Sequence, residues 1–492
     1  MMTWENRKIS NAAGDTGLWA KLLNLARTGT PVCTHSGKVE HGDIFVALPG
    51  TRVDGAEYIP QALERGAAYV VTRHVPQGLL DVREKIVIHP NPAQALGVLA
   101  GAYFGTEALR ARVIGITGTN GKTTTTYLLE HLLTGNGFKV GVIGTVNYRW
   151  GGKEYPADMT TPDCLRLHHL LAQMDKDGVD WICMEVSSHA LDQDRVAGIC
   201  FDYAVFTNLT QDHLDYHLNL ENYFQAKAKL FTPKQNRKPK AIINGDDKFG
   251  QRLKKTALDP LCYGLGEDND LIAASVIESR QGLRLECKFH NKQWSMSSSL
   301  VGRFNAFNLL AALGVGLKLG MGEMELKVLE DFQGVPGRLQ RVGNKKGLNI
   351  FVDYAHTPDA LENVCKTLKN IDFDRFIVLF GCGGNRDKAK RPLMGQAVAR
   401  YADLAIITSD NPRNEEPEAI IKDILPGIKG RVEIEIEPDR KKAIKLAISR
   451  MEKGDVLLIA GKGHEDYQEI KGKKIPFHDV RVVEEIIDAF DY

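Results

Sequence analysis

The sequence has no long apolar segment: its hydrophobic runs are strand-length, whereas a membrane-spanning helix needs about 20 apolar residues. The first eleven residues also lack an apolar core, so we expect no signal peptide. These two absences predict a soluble, cytoplasmic protein without a transmembrane segment.

The sequence also lacks an excess of either charge, since 63 lysines and arginines face 62 aspartates and glutamates. We therefore expect neither nucleic acid nor an anionic membrane as a partner. The eight cysteines contain no Cys-x-x-Cys pair, which argues against a zinc or disulfide framework and for reduced thiols. A chain of 492 residues exceeds a single hydrophobic core, so we expect about two to four domains.

What the sequence does contain is a phosphate-binding pattern at Gly115–Thr124. A short apolar strand ends in a loop with Gly118 and Gly121, and leucines at helical spacing follow. Backbone N–H groups and the helix dipole favour phosphate at such a turn, with Lys122 on the β- and γ-phosphates and the Thr123 hydroxyl on Mg²⁺. The consensus glycine five residues before Gly121 is an isoleucine here, so this is a variant P-loop, and an ordinary glycine-rich turn is the alternative. The residues that we expect to bind a nucleoside triphosphate are Gly118, Thr119, Asn120, Gly121, Lys122, Thr123 and Thr124.

Strands and helices alternate along most of the chain, which predicts an α/β protein with three domains. We predict a small N-terminal α/β domain over residues 1–110 and a C-terminal, Rossmann-like, doubly wound domain over residues 335–492. Residues 111–334 form a central P-loop ATPase-like domain, with a parallel sheet and an antiparallel flap. The turn-forming segment Gly334–Arg338 marks the second boundary. Polar residues collect after the apolar strands, where parallel sheets bind ligands.

Three polar features of the predicted central domain allow more than one interpretation. Glu185 ends an apolar strand, where a carboxylate holds Mg²⁺ against a nucleotide or forms a salt bridge. Ser187–Asp192 contains serine, histidine and aspartate, but hydrolase triads are assembled from distant segments, and no Gly-x-Ser-x-Gly elbow surrounds this serine. His213 and His217 have the spacing of two metal ligands on one helix face, but the His-Glu-x-x-His pattern of a catalytic zinc site is absent. We therefore expect one histidine to assist a magnesium site.

Six short motifs occur in a characteristic order along the chain: Thr117–Thr124, Glu185–His189, Asn208–His213, Ala226–Lys227, Gly302–Asn308 and Gly337–Arg338. In this order the sequence resembles the Mur ligases of peptidoglycan synthesis over nearly its whole length. The resemblance implies one domain each for a UDP-sugar, for ATP and for an incoming amino acid. It also implies amide ligation, in which the γ-phosphate of ATP activates a carboxylate as an acyl phosphate for attack by an amine.

By this resemblance, the catalytic residues are Lys122, Glu185, His213 and Lys227. The implied cofactors are ATP and Mg²⁺, with the metal ligands Thr123, Glu185, His213 and Lys227. From spacing alone Lys227 is a solvated lysine on an amphipathic helix. The family pattern implies instead that it is carbamylated, which turns a cation into a carboxylate-like ligand for a second Mg²⁺. The further implied ATP contacts are Asn305 and Arg338.

Within the family, the likeness is to the enzyme that adds the third residue to UDP-N-acetylmuramoyl-L-alanyl-D-glutamate. The residues that match its sugar-peptide contacts are Ser36, Thr160, Thr161, Ser187, Gln193 and Arg195. The arginine that accompanies the uridine-side serine in the family is Gly37 here, and a plain turn serine is the alternative for Ser36.

The incoming amino acid implied by the resemblance is meso-2,6-diaminopimelate. Asp410–Arg413 resembles the family signature for this substrate, whereas the L-lysine enzymes lack the arginine. A guanidinium suits the second carboxylate of diaminopimelate and repels the bare ammonium of lysine. The implied contacts are Arg386, Asp410, Asn411, Pro412, Arg413, Gly461 and Glu465.

Three other functions compete with this interpretation. An L-lysine-adding ligase is disfavoured by Arg413, and a folylpolyglutamate synthetase-like ligase is disfavoured by the additional N-terminal domain. A nucleotide-gated binding protein without ligation is disfavoured by the intact catalytic set Lys122, Glu185, His213 and Lys227. We expect the ligase to be a monomer.

Overall fold

The computed structural model describes residues 16–50, 53–76, 78–232 and 239–489. The chain forms two compact units. One unit contains the chain up to Leu271 together with Leu310–Leu326, and the other contains Ile272–Leu309 and the chain from Lys327 onwards. Within the described ranges, no helix has the length and apolar character needed to cross a bilayer.

The first unit begins with a small parallel sheet in the order β1-β2-β3-β4. Its strands are β1 (Val32–Cys33), β2 (Ile44–Val46), β3 (Tyr69–Thr72) and β4 (Ile86–Ile88). The helix Pro92–Phe104 covers this sheet. Its N-cap is Asn91, whose side chain accepts hydrogen bonds from two N–H groups of the first turn. Strand β1 lies just before Ser36 and was not predicted, because two residues are too few to show a periodicity.

The larger sheet of the first unit carries the phosphate-binding pattern. Its strands are β5 (Arg112–Thr117), β6 (Val140–Ile143), β7 (Asn147–Trp150), β8 (Lys153–Pro156), β9 (Trp181–Glu185), β10 (Tyr203–Phe206), β11 (Lys240–Asn244) and β12 (Leu261–Gly264). They run in the order β12-β11-β10-β5-β9-β6-β7-β8. All neighbouring pairs are parallel except those made by β7 and β8, so the predicted parallel sheet is confirmed. The carboxyl ends of β5 and β9 therefore lie side by side.

The antiparallel hairpin β7–β8 was not predicted from the sequence. Its two-residue turn is Gly151 and Gly152, which adopt φ of 54° and 78°. Two successive positive φ angles are what a tight hairpin requires, and only glycine adopts them without strain. The Gly-Gly pair was the available signal, but the flanking strands alternate too briefly to stand out.

The second unit contains an antiparallel hairpin followed by a second doubly wound sheet. β13 (Leu271–Ser279) begins at the boundary, and β14 (Gly282–Phe289) pairs antiparallel with β15 (Lys292–Ser298), which confirms the predicted flap. The sheet strands are β16 (Gln340–Arg341), β17 (Asn349–Asp353), β18 (Phe376–Phe380), β19 (Leu404–Ile407), β20 (Glu433–Ile436) and β21 (Val456–Ala460). Their order is β16-β17-β21-β18-β19-β20, with only β16 antiparallel. A separate hairpin, β22 (Tyr467–Ile470) and β23 (Lys473–Pro476), follows β21 and was not predicted.

Helices cover these sheets with apolar faces. The α-helices in the described ranges are Thr16–Arg27, Ile59–Glu64, Pro92–Phe104, Lys122–Gly135, Cys164–Lys176, Ser188–Asp192, Leu214–His217, Leu220–Ala228, Lys248–Lys254, Phe304–Leu319, Glu323–Leu326, Pro358–Lys369, Lys390–Ala399, Pro417–Ile424, Arg440–Ser449 and Asp479–Ala489.

Candidate active site

The loop between β5 and the helix Lys122–Gly135 has the backbone geometry of an anion site. Gly121 immediately precedes the helix with φ of 87°. Gly118 has φ of 154°, and a Cβ there would stand 1.9 Å from the Thr207 hydroxyl oxygen. Both glycines are therefore required by the backbone at the turn into the helix, and a helix N-terminus is a favourable place for a phosphate. These contacts support the P-loop interpretation over an incidental glycine-rich turn.

The phosphate loop is held in place by the segment after β10. Asn208 contacts it twice, because its side-chain oxygen accepts from the Asn120 N–H at 3.0 Å and its carbonyl accepts from the Thr119 N–H at 2.9 Å. Lys122 Nζ donates to the carbonyl oxygens of Gly118 and Thr119, at 2.9 Å each. The Lys122 side chain thus bends back onto its own loop, and its ammonium lies near the N-terminus of the helix.

Glu185, at the end of β9, is the buried carboxylate beside this loop. It is 1% exposed, and its Oε2 accepts hydrogen bonds from the hydroxyls of Thr123 and Thr145 at 3.0 Å each. Its Oε1 accepts from the Thr145 N–H at 2.9 Å, and a Cβ on Gly144 would come within 2.4 Å of that oxygen. A carboxylate with hydroxyls at a phosphate loop is the ligand set that Mg²⁺ uses when the nucleotide and water complete its shell. Thr145 was missed because it lies 40 residues before Glu185 and belongs to no motif.

Lys227 is buried beside the same loop. It is 1% exposed, and its Nζ donates to the Gly118 carbonyl oxygen at 2.8 Å and lies 4.4 Å from the centre of the Tyr223 ring. Burial lowers the pKa of Lys227 far below its ordinary value; the charge of Lys122 lowers it further, and Asp212 opposes the shift. The solvated lysine that spacing alone predicts is therefore wrong. A depressed pKa favours the neutral form of the amine.

The two histidines four residues apart do not share a helix face. His213 precedes the helix Leu214–His217 in the left-handed conformation, with φ of 52°, and its side chain is 47% exposed. His217 is buried, and its Nε2 lies 3.0 Å from the Ser188 hydroxyl. Burial lowers the pKa of His217, and the nearby His189 lowers it further. Among the described residues, no group of three or more His, Cys, Asp or Glu side chains is placed to hold a metal.

The predicted sugar-peptide residues of the central region do come together. The Thr161 hydroxyl donates to the Glu185 carbonyl at 2.9 Å and accepts from the Ser187 N–H at 3.0 Å. Arg195 donates from Nε and Nη2 to the Gln193 side-chain oxygen, at 2.9 and 2.7 Å, and from Nη1 to the Thr161 carbonyl at 3.2 Å. A short chain of contacts therefore joins these residues to the backbone of Glu185. The hydroxyl of the remaining member, Thr160, lies 3.0 Å from the Thr145 hydroxyl, which donates to the Glu185 carboxylate.

Three predicted contacts lie in other parts of the fold. Ser36 is buried in a short 3₁₀ turn of the small sheet, and its hydroxyl donates to the Gln61 side chain at 2.6 Å. Asn305 and Arg338 belong to the second unit. Asn305 is buried and donates to the Val301 carbonyl at 2.8 Å, and the Arg338 guanidinium lies 5.5 Å from the centre of a tyrosine ring.

The predicted amino-acid site lies at the carboxyl ends of β19 and β21. Asn411 donates from Nδ2 to Glu465 Oε2 at 2.9 Å, and the fully buried Lys462 donates to both of these side chains, at 3.1 and 2.9 Å. Gly461 has φ of 114°, and a Cβ there would stand 2.4 Å from Asp410 Oδ2. Lys462 was missed by sequence reasoning, because nothing in its spacing distinguishes it from a surface lysine.

Asp410 has an unusual environment in this site. Burial raises its pKa, while Arg440 and Lys462 act in the opposite direction. Its Oδ1 accepts from the Asn411 N–H at 2.7 Å, but its buried Oδ2 has no hydrogen-bond partner in the part of the chain that the structure describes. A buried carboxylate oxygen without a donor favours a ligand cation or N–H group at that point.

Arg413 and Arg386 complete the predicted set and differ in their surroundings. Arg413 has φ of 52° and a side chain 21% exposed, and its Nη1 donates to the Gly384 carbonyl at 2.9 Å. Arg386 is exposed on the same loop as that glycine, and Pro412 is buried. The segment after Arg413 is anchored by the fully buried Arg391, which donates to both carboxylate oxygens of Glu415 at 3.0 and 2.8 Å.

The phosphate loop and its parallel sheet define the chain as a P-loop nucleotide-binding protein. The chain belongs to the Mur ligase family. It matches the Mur ligase middle domain over residues 116–316, the glutamate ligase domain over residues 337–463 and the Mur ligase family catalytic domain over residues 30–104. The resemblance to the Mur ligases and the α/β fold predicted from the alternation of strands and helices are thereby confirmed.

Relatives cover nearly the whole chain. A UDP-N-acetylmuramoyl-L-alanyl-D-glutamate--2,6-diaminopimelate ligase from Lawsonia intracellularis is 50% identical, over 93% of this chain and 95% of the relative. The ligase of the same name from Aquifex aeolicus is 46% identical over 96% of each. A solved structure titled with that ligase name has a TM-score of 0.72 at 35% identity, over 94% of this chain and 95% of the other. A folylpolyglutamate synthase from Mycobacterium tuberculosis in complex with ADP has a TM-score of 0.60 at 18% identity, over 75% of this chain, which shows a shared fold alone.

Proposed function

We propose that this protein is an ATP-dependent ligase that joins meso-2,6-diaminopimelate to UDP-N-acetylmuramoyl-L-alanyl-D-glutamate in peptidoglycan precursor synthesis. Relatives at 46% and 50% identity bear the name of that ligase. The structural observation that carries the choice of amino acid is Arg413, a half-buried guanidinium held on a loop at the strand ends. A guanidinium binds a second carboxylate in bidentate fashion and opposes a terminal ammonium.

The residues around the phosphate loop support the first half of this reaction. Lys122 would leave the carbonyls of Gly118 and Thr119 to contact the β- and γ-phosphates, where its charge offsets that of the transferring phosphoryl group. Glu185 and Thr123 fit a magnesium ion, which would supply charge stabilisation during transfer. The D-glutamate carboxylate of the sugar-peptide is the acceptor, and the resulting acyl phosphate has a leaving group that the free carboxylate lacks.

Lys227 would complete the metal site as a carbamate. In that modification the neutral amine attacks CO₂, a C–N bond forms and the nitrogen loses a proton. The product is an anionic oxygen ligand with which His213 would share the second Mg²⁺. Burial of the amine and its contact with the phosphate loop support this role.

Domain division and compartment follow as further parts of the proposal. The limits 1–110, 111–334 and 335–492 are supported by the three family-domain matches, each of which falls within one of these ranges. None of the eight cysteines forms a disulfide bond, as expected of a protein that works in the reducing cytoplasm, where its nucleotide is also available.

The assay that tests the proposal measures ATP- and amino-acid-dependent phosphate release with the sugar-peptide as acceptor. Diaminopimelate and L-lysine are compared at equal concentrations, and the product is identified by mass spectrometry. We expect phosphate release and a tripeptide product with diaminopimelate, and a much lower kcat/KM with L-lysine. Equal use of the two amino acids would exclude the diaminopimelate assignment, and absence of release with either would exclude ligation.

Thr145→Val is expected to lower kcat roughly 10-fold and to raise the Mg²⁺ concentration needed for half-maximal activity, since outer-shell groups are worth about 10–100-fold. The valine keeps the shape and the N–H bond to Glu185 but loses the hydroxyl that bonds Glu185 and Thr160. Activity is measured across a magnesium titration. Thr28→Val is the control, because that hydroxyl bonds only to backbone carbonyls of its own helix end. An unchanged magnesium requirement would show that Thr145 does not position Glu185.

A further inference from the structure

The hairpin β22–β23 lies beyond residue 463, where the family-domain match ends, and it contacts the tetrapeptide Asp410–Arg413 directly. Four hydrogen bonds of 2.6–2.9 Å join the two segments: Gln468 Nε2 to Asp410 O, Glu469 N to Asn411 Oδ1, Arg413 N to Glu469 O, and Lys471 N to Arg413 O. The left-handed backbone of Arg413 is uncommon for a non-glycine residue. The hairpin holds it in that conformation by bonding both its N–H and its carbonyl.

Glu469 also fixes the side chain of Arg413. Glu469 Oε2 accepts from Arg413 Nε at 3.1 Å, and the Gly384 carbonyl accepts from Nη1 at 2.9 Å. A guanidinium has five N–H donors in one plane, and these contacts use two of them. Among the described residues, no acceptor lies within hydrogen-bond range of the second Nη1 hydrogen or of either Nη2 hydrogen. Three of the five donors, including both on Nη2, therefore remain available for hydrogen bonds to a carboxylate.

We propose that Glu469 is a specificity-determining residue, which presents the remaining N–H donors of Arg413 to a ligand carboxylate and is itself kept from ligand ammonium groups by that arginine. This inference rests on the proposed function, because it takes the ligand to be diaminopimelate. Glu469 is a positioning residue for the native substrate. It becomes a direct acceptor only when the guanidinium is removed.

The surroundings of Glu469 support this second role. Its side chain is 27% exposed, so a ligand can reach it once Arg413 is shortened. Lys474 stands opposite Glu469 on β23, but its ammonium lies 4.1 Å from the centre of the Tyr467 ring. Lys462 is engaged with Asn411 and Glu465. Among the residues that the structure describes, Arg413 is thus the cation that pairs with Glu469, and its removal leaves a carboxylate where the lysine ammonium would arrive.

The test compares Arg413→Ala, Glu469→Ala, Glu469→Gln and the double variant Arg413→Ala/Glu469→Ala, in steady-state kinetics with both amino acids. A hydrogen bond to a charged group corresponds to roughly 10- to 100-fold, so Glu469→Ala should raise the diaminopimelate KM about 10-fold with little change in kcat. Glu469→Gln keeps an oxygen for Nε and should restore the KM to within about 3-fold of wild type. Arg413→Ala should raise kcat/KM for L-lysine about 10-fold, and the double variant should lose that gain.

Glu416→Gln is the matched control, because Glu416 pairs with Lys471 at 3.5 Å on the same two segments but is largely exposed, with 68% of its side chain accessible. Glu416→Gln should leave kcat and KM unchanged for both amino acids. A lysine gain that survives removal of Glu469, or a diaminopimelate KM unaffected by Glu469→Ala, overturns the inference while wild-type ligation stands. If the variants with Glu469→Ala do not fold, the double variant Arg413→Ala/Glu469→Gln is used instead. It should also lose the lysine gain, since a glutamine amide binds an ammonium less well than a carboxylate does. A wild type inactive with diaminopimelate would instead overturn the proposed function.

Discussion

Replacing Lys227 with alanine is expected to lower kcat roughly 100- to 1,000-fold, the loss typical when one preorganised electrostatic group is removed from an active site. The reason is the place of the side chain: a buried amine at 2.8 Å from the phosphate-loop carbonyl of Gly118, with its pKa depressed by burial. Its carbamate would be an anionic metal ligand that alanine cannot supply. Phosphate release by the purified variant gives the rate, and carbon-13 NMR after labelling with bicarbonate detects the carbamate in the wild type.

The matched control for this variant is Lys229→Ala. Lys229 lies two residues further along, is 43% exposed and pairs with Asp192 at 3.2 Å, so its removal should leave kcat near the wild-type value. Acetate or propionate added to Lys227→Ala should recover part of the activity by placing a free carboxylate in the cavity. No labelled carbamate in an active wild type would show that the amine itself is the functional form.

Replacing Arg413 with alanine is expected to raise the diaminopimelate KM strongly, while the KM values for ATP and the sugar-peptide barely move. Loss of one partner of a desolvated charge pair costs about 2–5 kcal/mol, or roughly 30-fold to several thousand-fold in kcat/KM. We expect the upper part of this range, because Glu469 would then face the ligand carboxylate with the same charge. Steady-state kinetics with each substrate varied in turn provides the measurement.

Arg413→Lys separates charge from geometry in this experiment. Lysine keeps the positive charge but cannot make two parallel hydrogen bonds, so it should recover only part of the lost affinity. A diaminopimelate KM that stays at the wild-type value in Arg413→Ala would make the arginine a structural residue of its loop. The assignment of the amino acid would then lose its main structural support.

The sequence predicted the elements of this fold well wherever the signal is local. The glycine positions of the phosphate loop, the apolar strands and the apolar stripe of the following helix depend on residues within one or two turns of each other, and the structure places them as expected. The pair His213 and His217 shows the limit of such reasoning. Its spacing implies a shared helix face, but the helix begins only after His213, whose backbone is left-handed.

Contacts between distant parts of the chain account for what was missed. Thr145 reaches Glu185 across 40 residues, and Glu469 reaches Arg413 across 56. No periodicity or turn preference reports such pairs, because each residue taken alone is an ordinary polar side chain near the end of a strand. Their roles become visible only when the parallel strands bring their carboxyl ends to the same edge of a sheet.

By itself the sequence determined the α/β class, the P-loop pattern and the family, since these depend on short runs of residues whose order along the chain is sufficient. The tertiary structure alone decided the environment of those residues. In the sequence Lys227 resembles a solvated lysine, whereas in the fold it is buried against the carbonyl of Gly118, 109 positions away. The orientation of the Arg413 guanidinium is likewise fixed by Glu469, which belongs to a later hairpin. Burial and pKa depend on every group packed around a side chain, and that packing is a property of the folded chain.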